Sequence, residues 1–339
     1  MSRKMVLLYV GKNQSGVTYP EYTEADIKGF SSASEFVIVA GTYRNYLLTD
    51  TTHKAECNDM LIAMATLVTR IRRWTGKHVW VGVPDTPAPT KTLTTTTCAT
   101  YATRMKECLS DLRSKINSWM GDSSGFDTYV TGVYMAREHI LVPGDSPAYG
   151  VSISASNPTA HPEVAMMNTV ASYVHNTLGK KMLWIPYYGY GSNYNATINS
   201  IGYVANKTNI FDYVLLQPHY YFQESADILK NVEAIRESAY LNKVVGRKSS
   251  SGTFSVIGGT KTSNTKIGVE MEIDKRHEFA DYAARYDVYA KCFSNQAVSG
   301  IPVRAGYNKD SIDFAFYCDG PFTGAAFTSM QSKINSFYA

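Results

Sequence analysis

Short apolar, β-branched runs alternate with longer stretches of helical periodicity along the whole chain. The runs predict strands over 5–11, 36–43, 79–85, 129–138, 182–188, 213–221, 267–274 and 301–307. Amphipathic stretches between them predict helices over 57–74, 101–119, 162–178, 226–240 and 278–293, with a last one over 324–337. Strand–helix alternation repeated eight times describes a closed parallel barrel, a single (β/α)8 TIM barrel over residues 1–339, rather than an open sheet. A doubly wound sheet would carry a glycine-rich fingerprint in its first turn. The turn here, Gly11-Lys-Asn-Gln-Ser-Gly16, is neither that fingerprint nor a Walker motif. Two segments read as loop elaborations: the proline- and threonine-rich stretch at about 84–100, able to wall a cleft, and the Ser/Gly/Thr-rich stretch at about 246–265, a flexible excursion or small hairpin.

The sharpest pattern is Lys266-Ile-Gly-Val-Glu-Met-Glu-Ile-Asp274. In an extended chain Ile267, Val269, Met271 and Ile273 share one side and Glu270, Glu272 and Asp274 the other. If the apolar side packs under helices, Glu270 and Glu272 face the barrel axis, where an acid without a partner or a task is costly. Asp274 stands where the cap of a following helix would stand.

Barrel enzymes do their chemistry at the C-terminal ends of the strands, so the residues ending each strand are the candidates. Strand three ends in Asp85, strand four in Tyr134-Met-Ala-Arg-Glu138, and strand five in Trp184-Ile-Pro-Tyr-Tyr188. Strand six ends in Gln217-Pro-His-Tyr-Tyr221, strand seven in Glu270-Met-Glu-Ile-Asp274, and strand eight in Arg304-Ala-Gly-Tyr307. On strand four, Gly132, Tyr134, Ala136 and Glu138 share a face, and the small residues mark it as the interior one. Acids from strands four and seven then meet across the mouth, the arrangement that cleaves glycosidic bonds with one carboxyl as general acid/base and another as nucleophile. The expected catalytic set is Glu138 as acid/base, Glu272 as nucleophile and Glu270 supporting it, with the two glutamates interchangeable at this stage. An expected separation of about 5–5.5 Å between the pair favours a retaining course. Asp85, Tyr134, Trp184, Tyr188, Gln217, His219, Tyr221 and Tyr307 are the expected substrate contacts, aromatic rings stacking on sugar faces. The lone His219 reads as an orienting residue, since no metal-binding histidine spacing occurs; neither metal nor cofactor is expected.

The blocks Val6-Leu-Leu-Tyr-Val-Gly11, Tyr134-Met-Ala-Arg-Glu138, Trp184-Ile-Pro-Tyr-Tyr188, Phe211-Asp-Tyr-Val-Leu-Leu-Gln-Pro-His-Tyr-Tyr-Phe222 and Gly268-Val-Glu-Met-Glu-Ile-Asp274 together resemble an uncharacterised bacterial domain-of-unknown-function family. The resemblance covers nearly the whole chain. It implies a glycoside-hydrolase-like barrel with Glu138, Glu270 and Glu272 at the acidic positions, and an extracellular or cell-surface setting. The chain departs from that family by carrying His219 where its Q-P-N-Y motif has asparagine.

Composition narrows the partners. A net charge of +4 with scattered Lys and Arg lacks the footprint of a nucleic-acid binder. No run approaches the roughly 18–20 apolar residues of a membrane span, and the start is too short for a signal-peptide core. The odd cysteine count, without C-x-x-C, reads as buried thiols. Oligomeric state is not encoded in any of these patterns. Two other readings remain: a carbohydrate-binding barrel without turnover, and a barrel lyase or metal-dependent hydrolase holding a hard cation among Glu270, Glu272 and Asp274.

Overall fold

The computed structural model describes residues 2–12, 18–40, 51–86, 93–145, 151–189, 191–318 and 324–339, the side chains of 51–54 and 56 excepted. Eight strands close into a barrel in sequence order, every pair parallel. They are β1 (Lys4–Val10), β2 (Glu35–Ala40), β3 (His78–Val83), β4 (Val130–Met135), β5 (Lys181–Trp184), β6 (Tyr213–Leu216), β7 (Lys266–Ile273) and β8 (Phe314–Cys318). Outside them run α1 (Glu24–Gly29), α2 (Thr51–Thr75), α3 (Thr95–Met120), α4 (Gly125–Tyr129), α5 (Pro162–Asn176), α6 (Tyr194–Lys207), α7 (Ala226–Leu241), α8 (Ala280–Phe293) and α9 (Ala325–Tyr338). No described helix is long and apolar enough to cross a membrane.

The alternation of each strand divides the apolar residues into two shells. Val6, Leu8, Ile38, Val81, Val133, Val269, Met271 and Ile273 join the helices in the outer one. Met5, Leu7, Val37, Val39, Trp80, Tyr134, Leu183, Tyr213, Leu215 and Ala315 fill the inner one. Large rings in that narrow lumen need small neighbours. A Cβ on Gly132 would lie 2.3 Å from Cζ3 of Trp80, and one on Gly268 would lie 2.2 Å from the carbonyl oxygen of Asp313. At the N-terminal end Arg3 plugs the barrel, its guanidinium 5.3 Å from the Trp80 ring and 4.7 Å from the Tyr213 ring, paired to Glu35 at 2.5 Å. Chemistry is left to the opposite end.

The eighth strand is not at 301–307. That segment carries Pro302 and Gly306 and forms only an isolated bridge between Val298 and Ile301, while the barrel is closed by Phe314-Ala-Phe-Tyr-Cys318. The predicted second strand ends at Ala40, and its residues 41–43 lie outside the described residues. Helix α3 begins at Thr95, so the expected 84–100 loop is shorter, with its residues 87–92 also outside the described set. Residues 246–265 form an excursion tied back by an antiparallel bridge between Val245 and Val256. All five cysteines are buried free thiols.

Candidate active site

Strand β7 delivers its acids as its alternation requires. Glu270 and Glu272 point into the barrel and are 1% and 0% exposed, while Asp274 leaves that face. Asp274 caps the short 3-10 turn that follows, accepting from the Arg276 backbone N–H at 2.8 Å, and pairs with the Arg276 side chain. The three acids therefore do not converge as a cation cage would need. Among the described residues no group of His, Cys, Asp and Glu is placed to hold a metal.

Neighbouring strands supply the partners. Gln217, just beyond β6, donates from Nε2 to Glu270 Oε2 at 2.6 Å. Burial, then the charges of Glu272 and Glu138, hold the Glu270 carboxyl well above the usual range. Tyr289 of α8 reaches in from outside the barrel: its hydroxyl donates to Glu272 Oε2 at 2.5 Å and accepts the Tyr221 backbone N–H at 2.8 Å. Glu272 Oε1 is buried without a hydrogen-bond partner, with His219 Nδ1 3.6 Å away. His219 takes a left-handed backbone conformation, φ 63°, unusual for a residue other than glycine and a mark of strain at functional sites. Its ring meets Tyr187 edge-on at 4.7 Å.

Glu138 stands two residues beyond the inward-facing Ala136 and is exposed. Its charge also raises the pKa values of the Tyr134 and Tyr9 hydroxyls, after burial in both cases and after Tyr317, Tyr134 and Glu270 in the second. Behind it the chain is pinned. Arg137 turns outward and is paired through Nη2 to the fully buried Glu163 at 2.9 Å, with Asp85 at 3.6 Å. Glu163 also accepts the Leu141 backbone N–H at 2.7 Å. The Arg137 carbonyl accepts from Trp184 Nε1.

Of the expected substrate contacts, Gln217 and His219 lie beside the acids, and Tyr134 lies in the layer beneath them, 2% exposed. Asp85 is engaged with Arg137 and with the Thr86 backbone. Four expectations are corrected. Trp184 faces outward, stacked on Phe211 at 5.1 Å in the outer shell, because Leu183 and Ile185 take the inward positions of β5. Tyr188 is fully buried in the same shell and donates to the Val245 carbonyl. Tyr221 is fully buried against Asp274, because the turn at His219 reverses its side. Tyr307 lies outside the strand-end ring, in the connection between α8 and β8 beside Cys292 and Arg236. Sequence reasoning missed Tyr289, whose spacing on α8 signals only packing, and the mouth residues Tyr9 and Tyr317. Tyr9, on the first predicted strand, was open to the inward/outward count that located Glu270, whereas Tyr317 lies beyond the segment read as the last strand.

No protein-family model matches the chain, and no curated protein matches it. Among solved structures it is similar to a family GH18 chitinase from Chromobacterium violaceum, 11% identical over 99% of this chain and 83% of that one, with a TM-score of 0.50. It is also matched by an endo-beta-N-acetylglucosaminidase from Cordyceps militaris, 12% identical over 99% and 91% of the two chains, TM-score 0.45. A psychrophilic glycoside hydrolase family 10 endo-beta-1,4-xylanase is 11% identical over 94% and 86%, TM-score 0.46. At these identities the chitinase likeness speaks to the fold alone: a (β/α)8 barrel.

Proposed function

We propose that this barrel hydrolyses glycosidic bonds in a poly- or oligosaccharide, with Glu138 as general acid/base and Glu272 as nucleophile. The observation that carries the reading is the meeting of acids from β4 and β7, expressed in the raised proton affinity of Glu270 beside Glu272 and Glu138. Glu270, held by the Gln217 amide, supports the site as a hydrogen-bonding neighbour. Glu272, which accepts the Tyr289 hydroxyl, takes the nucleophile's part. Glu138, exposed at the mouth, is placed to exchange protons with a leaving group and with water. The course is retaining in this scheme, through a glycosyl-enzyme intermediate. Extracellular or cell-surface action belongs to the same reading and rests on the family resemblance.

Incubating wild type, Glu138→Gln, Glu272→Gln and Glu270→Gln with polysaccharides and aryl glycosides tests it, with product anomers followed by NMR. Turnover lost in the first two variants, with the anomeric configuration retained in wild type, is the expected result. Survival of turnover in Glu272→Gln would refute the assignment. The near-complete burial of Glu270 and Glu272 favours one second reading, a carbohydrate-binding barrel without turnover. It predicts glycan binding by wild type and no released reducing ends.

A further inference from the structure

Around the mouth runs a feature the acid chemistry does not use. Starting beyond β5, Tyr187 meets His219 at 4.7 Å, His219 meets Phe222 at 5.6 Å, and Phe222 meets Tyr317 of β8 at 5.5 Å. Tyr317 then meets Tyr9 of β1 at 5.6 Å, and Tyr9 meets Tyr19 at 5.6 Å. All six rings are partly exposed, unlike Trp184, Tyr188 and Tyr221 in the outer shell. The run passes from the fifth strand through the sixth and eighth to the first, and Glu272 sits beneath it, Tyr317 being its partner in the β7–β8 register. The lumen below is filled by Trp80, Tyr134 and Tyr213, so the six rings stand above the packed interior with part of their aromatic surface open.

We propose that this rim is the bed for an extended, neutral carbohydrate chain several sugar units long, a proposal that rests on the glycosidase reading for its setting. The rings meet edge-on or tilted, so the run offers alternating ring edges and faces, and a chain following the rim would meet apolar surface at successive points along it. The charge of the site selects against acidic glycans. Glu138 is exposed at the mouth with Glu272 buried below it, and Arg276, over Phe222 at 5.0 Å, is already paired with Asp274. A polyuronate would bring its own carboxylates against these.

The test uses the full chain carrying Glu272→Gln, which stops turnover in the proposed mechanism and keeps the exposed Glu138 charge. Its affinity for cello-, xylo-, manno- and N-acetylchito-oligosaccharides, as disaccharides and as hexasaccharides, is measured by calorimetry, with oligogalacturonates as the acidic comparison. The hexasaccharide of at least one neutral series is expected to bind at least about tenfold more tightly than its disaccharide. Tyr317→Ala is expected to weaken hexasaccharide binding by about tenfold, the upper end for one aromatic contact, and to leave the disaccharide unchanged. Tyr19→Ala, at the far end of the run, repeats the measurement should Tyr317→Ala fail to fold. Equal affinity for short and long neutral chains, no neutral chain bound, or tighter binding of the galacturonates would each overturn the proposal. Length-dependent binding in a protein whose wild type releases no product would sink the glycosidase reading and leave the rim assignment standing. Turnover of aryl monosaccharides without any length dependence would do the reverse.

Discussion

Replacing Tyr289 with phenylalanine removes a single oxygen atom and keeps the ring, which is fully buried between α8 and the ends of β6 and β7. That oxygen has two duties: it donates to Glu272 and accepts the Tyr221 N–H. Losing a hydrogen bond to a charged group costs about 1.5–3 kcal/mol, and an orphaned buried N–H costs about 1–3 kcal/mol. Glu272 Oε1 already lacks a partner, so the carboxylate would have none on either oxygen. The expected loss is about 3–5 kcal/mol. At about 2 °C per kcal/mol for a domain of this size, the thermal midpoint should fall by about 6–10 °C. Circular dichroism melts of wild type, Tyr289→Phe, Glu272→Gln and the double variant measure it. If the hydroxyl acts through Glu272, the two changes should couple by about 1 kcal/mol or more rather than add. On the proposed mechanism kcat falls with little change in KM, since the nucleophile loses its holder while the rim is untouched. A midpoint within about 1 °C of wild type, or strictly additive costs, would refute the claim that Tyr289 holds this acid.

Three other outcomes follow from the geometry. Glu270 has a folded pKa raised above its ordinary 4.5, so its contribution to stability is complete below that pH and is lost as pH rises through the folded value. Glu270→Gln should therefore melt higher than wild type at alkaline pH and lose part of the pH dependence; a lower midpoint at every pH would contradict this. Gly132→Ala should cost about 3 kcal/mol by forcing Trp80 and the Lys181 carbonyl apart, read by urea unfolding; a neutral result would mean the lumen yields more easily than its contacts indicate. His219→Asn should leave stability unchanged or raise it by about 0.5 kcal/mol, because asparagine tolerates the left-handed conformation well, whereas His219→Val should destabilise; equal melts for both would argue against backbone strain there.

The legibility of these features in sequence follows the contrast between the two faces of each strand. β7 could be read to the residue because apolar and acidic positions alternate without exception, and Glu270 and Glu272 lie where that reading put them. β5 could not, because Met182-Leu-Trp-Ile is apolar on both faces, so nothing distinguished the inward Leu183 from the outward Trp184. β6 was legible as far as Gln217, but alternation stops where His219 leaves the extended region, and Tyr221 consequently ends on the other side. The last strand was misplaced because Ile301-Pro-Val imitates a buried strand as well as Phe314-Ala-Phe does, and only closure against Lys4 and Val269 distinguishes them. Helix α6, with its isoleucine and valine stripe, was passed over among the surrounding polar residues.

The pinning of Arg137 by Glu163 bears on how function would be apportioned among residues in a mutational survey. Glu163 lies on α5, fully buried against Arg137 and the Leu141 backbone, and it fixes the peptide from which Glu138 projects. Removing one partner of such a buried pair costs about 3–5 kcal/mol and leaves the other charge stranded, so Glu163→Ala would disturb the acid at the mouth from behind the strand. A scan scored on product alone would rank Glu163 beside Glu138 and invite its inclusion among the catalytic acids. A paired readout of folded protein would separate them: on the proposed mechanism Glu163→Ala loses fold and activity together, while Glu138→Gln loses activity alone. In a barrel whose neighbouring residues face opposite sides of one strand, the acid that works and the acid that holds it can give the same phenotype.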